Sequence, residues 1–151
     1  MIRIYVDADA CPVKDEVFRV AKRYGLKVFV VSNGRIRTPS DPSVEMVIVT
    51  GHFDAADDWI SERISATDIA VTSDILLASR CLATGARVLD PKGKVFSRES
   101  IGDAVANREL MAYLRDSGSI TGGPAPFEAR DRSRFLQKLD DLVQALMKSK
   151  R

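Results

Sequence analysis

The chain has 151 residues, 45% of them apolar and 29% charged, with a formal net charge of +2. That is the length of one domain with enough apolar residue for one core, and no apolar run reaches the roughly eighteen residues needed to cross a bilayer. Two cysteines, Cys11 and Cys81, exclude a disulfide scaffold and a metal-finger spacing, and a single histidine, His52, argues against a His-based triad or a zinc site.

The N-terminus opens on a strand pattern with no leader signature, so a reducing cytoplasm is the expected compartment. Ile2 to Val6 is a short apolar run that ends in Asp7-Ala8-Asp9, followed by Ala10-Cys11-Pro12. Pro12 suits the first turn of a helix. Val13, Val17, Val20, Ala21 and Tyr24 then recur at helical spacing, and Gly25 closes that helix. Lys27 to Val31 is a second strand, apolar enough to be buried on both faces. Ser32-Asn33-Gly34 turns the chain into a loop from Arg35 to Ser43. Met46 to Val49 is a third strand.

A helix is expected from about Asp54 to Ser65, with Ala56, Ile60 and Ile64 on its apolar face. Asp68 to Asp74 reads as a fourth strand, Ile75 to Ala83 as a helix, Ala86 to Asp90 as a fifth strand, and Pro91 to Lys94 as a turn. Strands alternate with helices throughout, which predicts an α/β fold with a mainly parallel sheet. Ile101 to Arg115 is expected to be helical, with Val105, Leu110, Met111 and Leu114 apolar. A loop with Gly122, Gly123 and Pro124 follows. The last helix starts near Asp131 and carries Phe135, Leu139, Leu142, Val143 and Leu146 on one face. Residues 1–151 are read as a single domain, with 99–151 a helical C-terminal extension packed on it.

Four acidic stations fall at comparable places: Asp7 and Asp9 after strand one, Asp54 and Asp57 at the start of the second helix, Asp74 after strand four, and Asp90 after strand five. Two carboxylates one residue apart repel each other unless a cation or a proton lies between them. Open α/β sheets bind ligands at the C-terminal ends of their strands. Carboxylates converging there form an oxygen-rich site for Mg²⁺ or Mn²⁺. Each station has a local alternative: Asp54 and Asp74 as helix caps, Asp57 as a capping-box acid, Asp58 and Asp68 as solvated or turn residues. Replacing Asp9 with Asn is expected to relieve repulsion and stabilise the metal-free protein.

Other candidates are secondary. Cys11 sits near a helix N-terminus, beside aspartates that oppose a thiolate. Ser73 precedes Asp74. Lys14 and Asn33 are placed to reach a substrate phosphate. Arg130 and Arg132, with Arg134 and Lys138, form a basic cluster at the start of the last helix, suited to phosphate or to a solvated face. Residues 1–90 carry 11 Lys and Arg against 13 Asp and Glu, a net −2, whereas residues 91–151 carry 12 against 8, a net +4. An acidic front and a basic back suit RNA or a nucleotide as partner, and no membrane. No aromatic residues interleave with the basic cluster.

Val6-Asp7-Ala8-Asp9-Ala10-Cys11-Pro12, Asp54-Ala55-Ala56-Asp57, Asp68 to Asp74 with Leu77-Ala78, and Gly122-Gly123-Pro124 with Asp131-Arg132 and Phe135 together resemble the YaiI/YqxD family of bacterial proteins, nearly end to end. That family is similar to the PIN and NYN nuclease-like superfamily. The resemblance implies a PIN-like three-layer sandwich, a five-stranded sheet in the order 3-2-1-4-5 with helices on both faces, and extra C-terminal helices. It implies metal-dependent RNA cleavage, with Asp7, Asp57 and Asp74 on the superfamily's acidic positions and Asp9 and Asp54 in the family's own motif. A second resemblance is to haloacid-dehalogenase-type phosphatases, where Asp7 would be the nucleophile, Asp9 the acid/base and Ser32 the phosphate ligand. The chain departs from that pattern at Cys11 and in having one carboxylate, not two, at Ser73-Asp74. A protein that binds metal or nucleotide without turnover is the third class.

Overall fold

Strand β1 (Arg3–Asp7) lies at the heart of the sheet because its side chains are apolar on both sides of the pleat. The structure, a computed structural model, describes residues 1–9, 11–121 and 125–149. The Gly122-Gly123-Pro124 motif and Ala10 lie outside the described residues. Ile4 and Val6 point to one face and Tyr5 to the other, as strand alternation requires. Helix α1 (Lys14–Tyr24) follows, and Pro12 lies in the turn leading into it. Its C-terminal Gly25 adopts φ 68°, a left-handed conformation that costs glycine little.

Strands β2 (Lys27–Ser32) and β3 (Val44–Ile48) add in parallel on one side of β1. The chain then crosses back through α2 (Ala55–Arg63), and β4 (Ile69–Val71) pairs in parallel with the other side of β1. This reversal makes the gap between β1 and β4 the topological switch point of the sheet. Helix α3 (Ile75–Ala83) and strand β5 (Arg87–Leu89) continue outward.

A sixth strand, β6 (Val95–Phe96), pairs antiparallel with β5, so the sheet is mixed, in the order β3-β2-β1-β4-β5-β6. Five strands were expected. Two residues are too few to show a period-2 pattern, and the hairpin is made by its turn. Asp90 accepts hydrogen bonds from the backbone N–H of Lys92 at 2.9 Å and of Lys94 at 2.8 Å. Asp90 is therefore a turn residue and does not line the cavity described below. At the tip, Gly93 has φ 89°, and a Cβ there would come within 3.0 Å of the backbone at Arg134 and Phe135.

Helix α4 (Arg98–Asp116) begins three residues earlier than the apolar pattern indicated. Ser97 accepts the Ser100 N–H, and Ser100 returns a bond to the Ser97 N–H, a capping box built from two serines. None of the residues of α4 is buried, and Leu110 and Met111 are 52% and 37% exposed. Only its first turn reaches the core, through Ile101, because α4 packs on α3 rather than on the sheet. Helix α5 (Ala129–Ser149) instead buries Phe135, Leu139, Val143 and Leu146 against α1 and the sheet.

Helices therefore cover both faces. One apolar cluster joins α1 and α5 to Ile4, Val6, Val28, Val30, Ile69 and Val71. The other joins α2 and α3 to Tyr5, Val31, Ala70 and Val88. In the second, Tyr5 stacks on Phe29 with centroids 5.0 Å apart, and Trp59 tilts against both rings. Each fully buried Val, Leu or Ile contributes about 1.5–3 kcal/mol relative to exposure, so two such clusters hold the strand ends rigidly. No helix among the described residues is long and apolar enough to cross a membrane.

Candidate functional site at the C-terminal edge of the sheet

The position of Asp7 follows from strand alternation. Asp7 lies two residues beyond Tyr5, so its carboxylate faces α2 and α3. Pairing of Val6 with Val71 then places Thr72 beside it. The Thr72 hydroxyl donates to Asp7 Oδ2 at 2.7 Å. The Asp74 N–H donates back to the same hydroxyl at 2.9 Å. Thr72 is 1% exposed and was not among the expected site residues. Its signal in the sequence is weak: an uncharged residue at the end of a strand, two positions before an aspartate.

Asp74 caps α3. Its Oδ1 accepts from Leu76 N–H at 2.9 Å and Leu77 N–H at 3.3 Å. Those bonds leave Oδ2 without a capping role. Asp54 stands at the cap position of α2 but makes no side-chain capping bond. Asp57 is in the first turn of α2. Asp9 is fastened to the neighbouring strand end, accepting from Ser32 Oγ at 2.6 Å and from Asn33 N–H at 3.1 Å.

These elements enclose an open cavity of about 560 Å³. Its lining includes Asp7, Asp9, Asp54, Asp57 and Asp74, with Asn33 and Ser73 at the edge. Phe53, Leu76, Arg80 and Arg108 also line it, and none of these four was singled out from the sequence. Arg80 is held by Asp58 at 2.9 Å, and Asp58 also meets His52 at 2.8 Å.

The carboxylates disturb one another's protonation. Burial is the first reason that Asp57 is pushed up to about 7, followed by the charges of Asp74 and Asp7, a hydrogen bond to Asp74 that favours its protonated form, and the charge of Asp54. Asp7 is raised chiefly by burial, against the lowering effect of the Thr72 hydrogen bond, and then by Asp74 and Asp9. The donor set is all oxygen, as Mg²⁺ or Mn²⁺ requires. Among the described residues, no three His, Cys, Asp or Glu side chains already form a metal cage. Mg²⁺ rarely uses one, because it keeps several waters and takes one or two carboxylates.

Several expected site residues lie elsewhere. Arg132 donates to buried Glu16 at 2.5 Å and to the Pro12 carbonyl at 2.8 Å, with its guanidinium 5.1 Å from the Phe127 ring centroid. Arg130 pairs with Glu128 at 2.7 Å. Lys14 donates to the Cys11 carbonyl at 2.6 Å. None of the three lines the cavity. Cys11 belongs to the α1 core, and burial raises its thiol pKa. Ser32, the phosphate ligand under the phosphatase resemblance, is 1% exposed and its hydroxyl donates to Asp9. Asp68 is not solvated: it is 2% exposed and accepts from the N–H groups of Arg3 and Ser65.

Fold and site together define an α/β protein with a carboxylate-lined cleft at the switch point of its sheet. The chain belongs to the family described as "Uncharacterized BCR, YaiI/YqxD family", whose model matches residues 5–145. It is 55% identical to UPF0178 protein RC1_2062 of Rhodospirillum centenum, over 99% of this chain and 100% of that one. It is 56% identical to a UPF0178 protein of Rhodopseudomonas palustris strain BisB18, over 97% and 95% of the two chains. It is 57% identical to UPF0178 protein amb2838 of Paramagnetospirillum magneticum, over 95% of each. No solved structure matches the chain significantly.

Proposed function

We propose that the cavity is a divalent-metal-dependent phosphodiesterase site acting on RNA. The observation that carries this reading is the convergence of Asp7, Asp57 and Asp74, from three separate elements, on one open cleft at the switch point. Local structure explains only part of that convergence, since Asp7 caps no helix and Asp57 shares its space with three other acids, Asp7, Asp54 and Asp74. The sheet order β3-β2-β1-β4-β5, extended by one short strand, adds support through the PIN-like resemblance.

Asp7, Asp57 and Asp74 are the residues that would hold Mg²⁺ or Mn²⁺. When bound, such an ion lowers the pKa of water and neutralises phosphate charge. The chain's own groups supply the rest. Thr72 fixes the rotamer of Asp7, and the α3 N–H groups fix that of Asp74. Asp57, pushed up to about 7 by burial and its acidic neighbours, would have to give up its proton to serve as a ligand, which ties metal affinity to pH. Asp9 ties the loop after β1 to the loop after β2 and so holds one wall of the cleft. No covalent intermediate forms, which separates this reading from the phosphatase, where Asp7 would be phosphorylated.

The test offers purified protein a mixed RNA and a small phosphomonoester, with Mn²⁺ or with chelator. Metal-dependent RNA cleavage, reduced at least a hundredfold in Asp7→Asn and Asp74→Asn, is the expected result, since each removes a carboxylate from the cleft (about 2.7 kcal/mol or more on the barrier). Monoester turnover with a phosphate trapped on Asp7 would establish the phosphatase. Saturable RNA or nucleotide binding with neither activity would leave a binding protein and overturn the hydrolase.

A further inference from the structure

We propose that the rim of this cavity binds an unpaired nucleotide of a single-stranded nucleic acid, its base on the ring of Phe53 and its phosphate held by Arg108. The inference rests on the proposed phosphodiesterase only for the location of the site. It goes further by assigning strand state and two contact residues.

Phe53 lines the cavity and is 89% exposed. It occupies the short segment before α2, directly ahead of Asp54 and Asp57. Leaving a large apolar side chain in water forgoes about 1.5–3 kcal/mol of burial. No other ring among the described residues packs on it. Tyr5, Phe29 and Trp59, by contrast, pack on one another within the α2 face of the molecule. The ring of Phe53 is thus free to take a partner at the mouth of the carboxylate cleft.

Arg108 supplies the second half of the site. It lines the same cavity from α4, is exposed, and its side chain makes no ion pair or hydrogen bond among the described residues. The other arginine in the cavity lining, Arg80, is engaged with Asp58. Helix α4, which buries none of its own residues and leans on α3, carries Arg108 over the cleft. An unengaged guanidinium above a carboxylate floor suits a phosphate, which it can meet through two parallel hydrogen bonds.

An aromatic face beside a cation is the pairing that binds single strands, in which the base stacks while the backbone is neutralised. A duplex hides its base faces within the helical stack, so it offers Phe53 nothing to stack on. The cavity volume of about 560 Å³ is in the range of sites that take one small-molecule-sized unit.

The experiment measures anisotropy of labelled oligouridylate, the same length as duplex, an abasic strand and uridine monophosphate as competitor. The protein is full-length Asp7→Asn, which does not consume the probe, in Mg²⁺. The single strand is expected to bind at least tenfold more tightly than duplex or abasic strand. Phe53→Ala should weaken it about tenfold, Phe53→Trp should retain it, and Arg108→Ala should weaken it and lower the salt dependence by about one counterion. Unchanged melting curves show that these exposed substitutions leave the fold intact. Equal binding of duplex, or binding indifferent to Phe53, overturns the proposal. Phe53-dependent binding of the monophosphate without preference for the strand overturns its strand component. Strand binding that depends on Phe53, in a protein that never cleaves RNA, sinks the hydrolase and keeps this site. Cleavage lost in Asp74→Asn, with binding indifferent to Phe53, does the reverse.

Discussion

Thr72 donates its hydroxyl proton to the Asp7 carboxylate and accepts the backbone N–H of Asp74, so one buried side chain ties the end of β1 to the start of α3. Replacing it with Val keeps the shape and removes both bonds. Thr72→Val is expected to cost about 1–3 kcal/mol in urea denaturation, because two partly buried polar groups lose their partner. Thr72→Ser keeps the hydroxyl and should cost about 1 kcal/mol or less, for the lost methyl. Equal losses in the two variants would place the effect in packing and not in the hydrogen bonds. The aspartates were legible in the sequence because a charged pair at the end of an apolar strand has no packing reason. Thr72 was not, because an uncharged strand residue is ordinary until pairing sets it beside Asp7. Asp9 was legible only in part. Its charge does press on Asp7, as two carboxylates one residue apart require, but it also accepts from Ser32 and Asn33, a role that spacing does not show.

Elements place charges by their rotation, which spacing alone does not report. Arg130 and Arg132 stood beside Asp131 in a basic run that suited phosphate. Helix α5 turns Asp131 inward, where its carboxylate accepts the Glu128 N–H at 2.9 Å, and turns Arg132 toward α1. There it meets Glu16, which is 5% exposed, and ties the two helices together. Arg132→Ala leaves that carboxylate without its cation and is expected to lower stability by about 2–3 kcal/mol, the scale of hydrogen bonds to charged groups. Its effect on RNA affinity, measured with the folded fraction taken into account, should be less than twofold, against the larger loss in Arg108→Ala. A variant as stable as wild type with weakened RNA binding would restore Arg132 to the phosphate surface. The helices themselves were legible from their 3.6-residue period. The short strand β6 and the solvent-facing α4 were not, since one lacks a period and the other carries apolar residues left exposed among the described residues.

Across the whole molecule, the carboxylate cleft couples protonation to stability. Asp57 has its pKa raised from 3.8 to about 7 in the folded state, so the folded protein keeps a proton that the unfolded chain has released. The stability this contributes is fully present below about pH 4 and is lost as the pH rises through about 7. Asp7, also raised, acts in the same direction. Asp41 and Asp58 are lowered, and their contribution is lost only as the pH falls through values below 3.8, outside the window in question. Cys81, pushed up to about 12 by burial, does not titrate there either. In chelator, the Tm of Asp57→Asn should therefore match wild type near pH 4, exceed it increasingly between pH 4 and pH 7, and keep that margin at pH 8. Metal reverses the dependence, because ligand carboxylates must be deprotonated before they bind an ion. Mn²⁺ at a hundred times its dissociation constant stabilises a folded protein by about 2.7 kcal/mol, and that rise should be large at pH 8, small at pH 5, and nearly absent in Asp7→Asn. A wild-type protein whose Mn²⁺-induced rise is the same at both pH values, or is retained in Asp7→Asn, would place the ion outside this cleft.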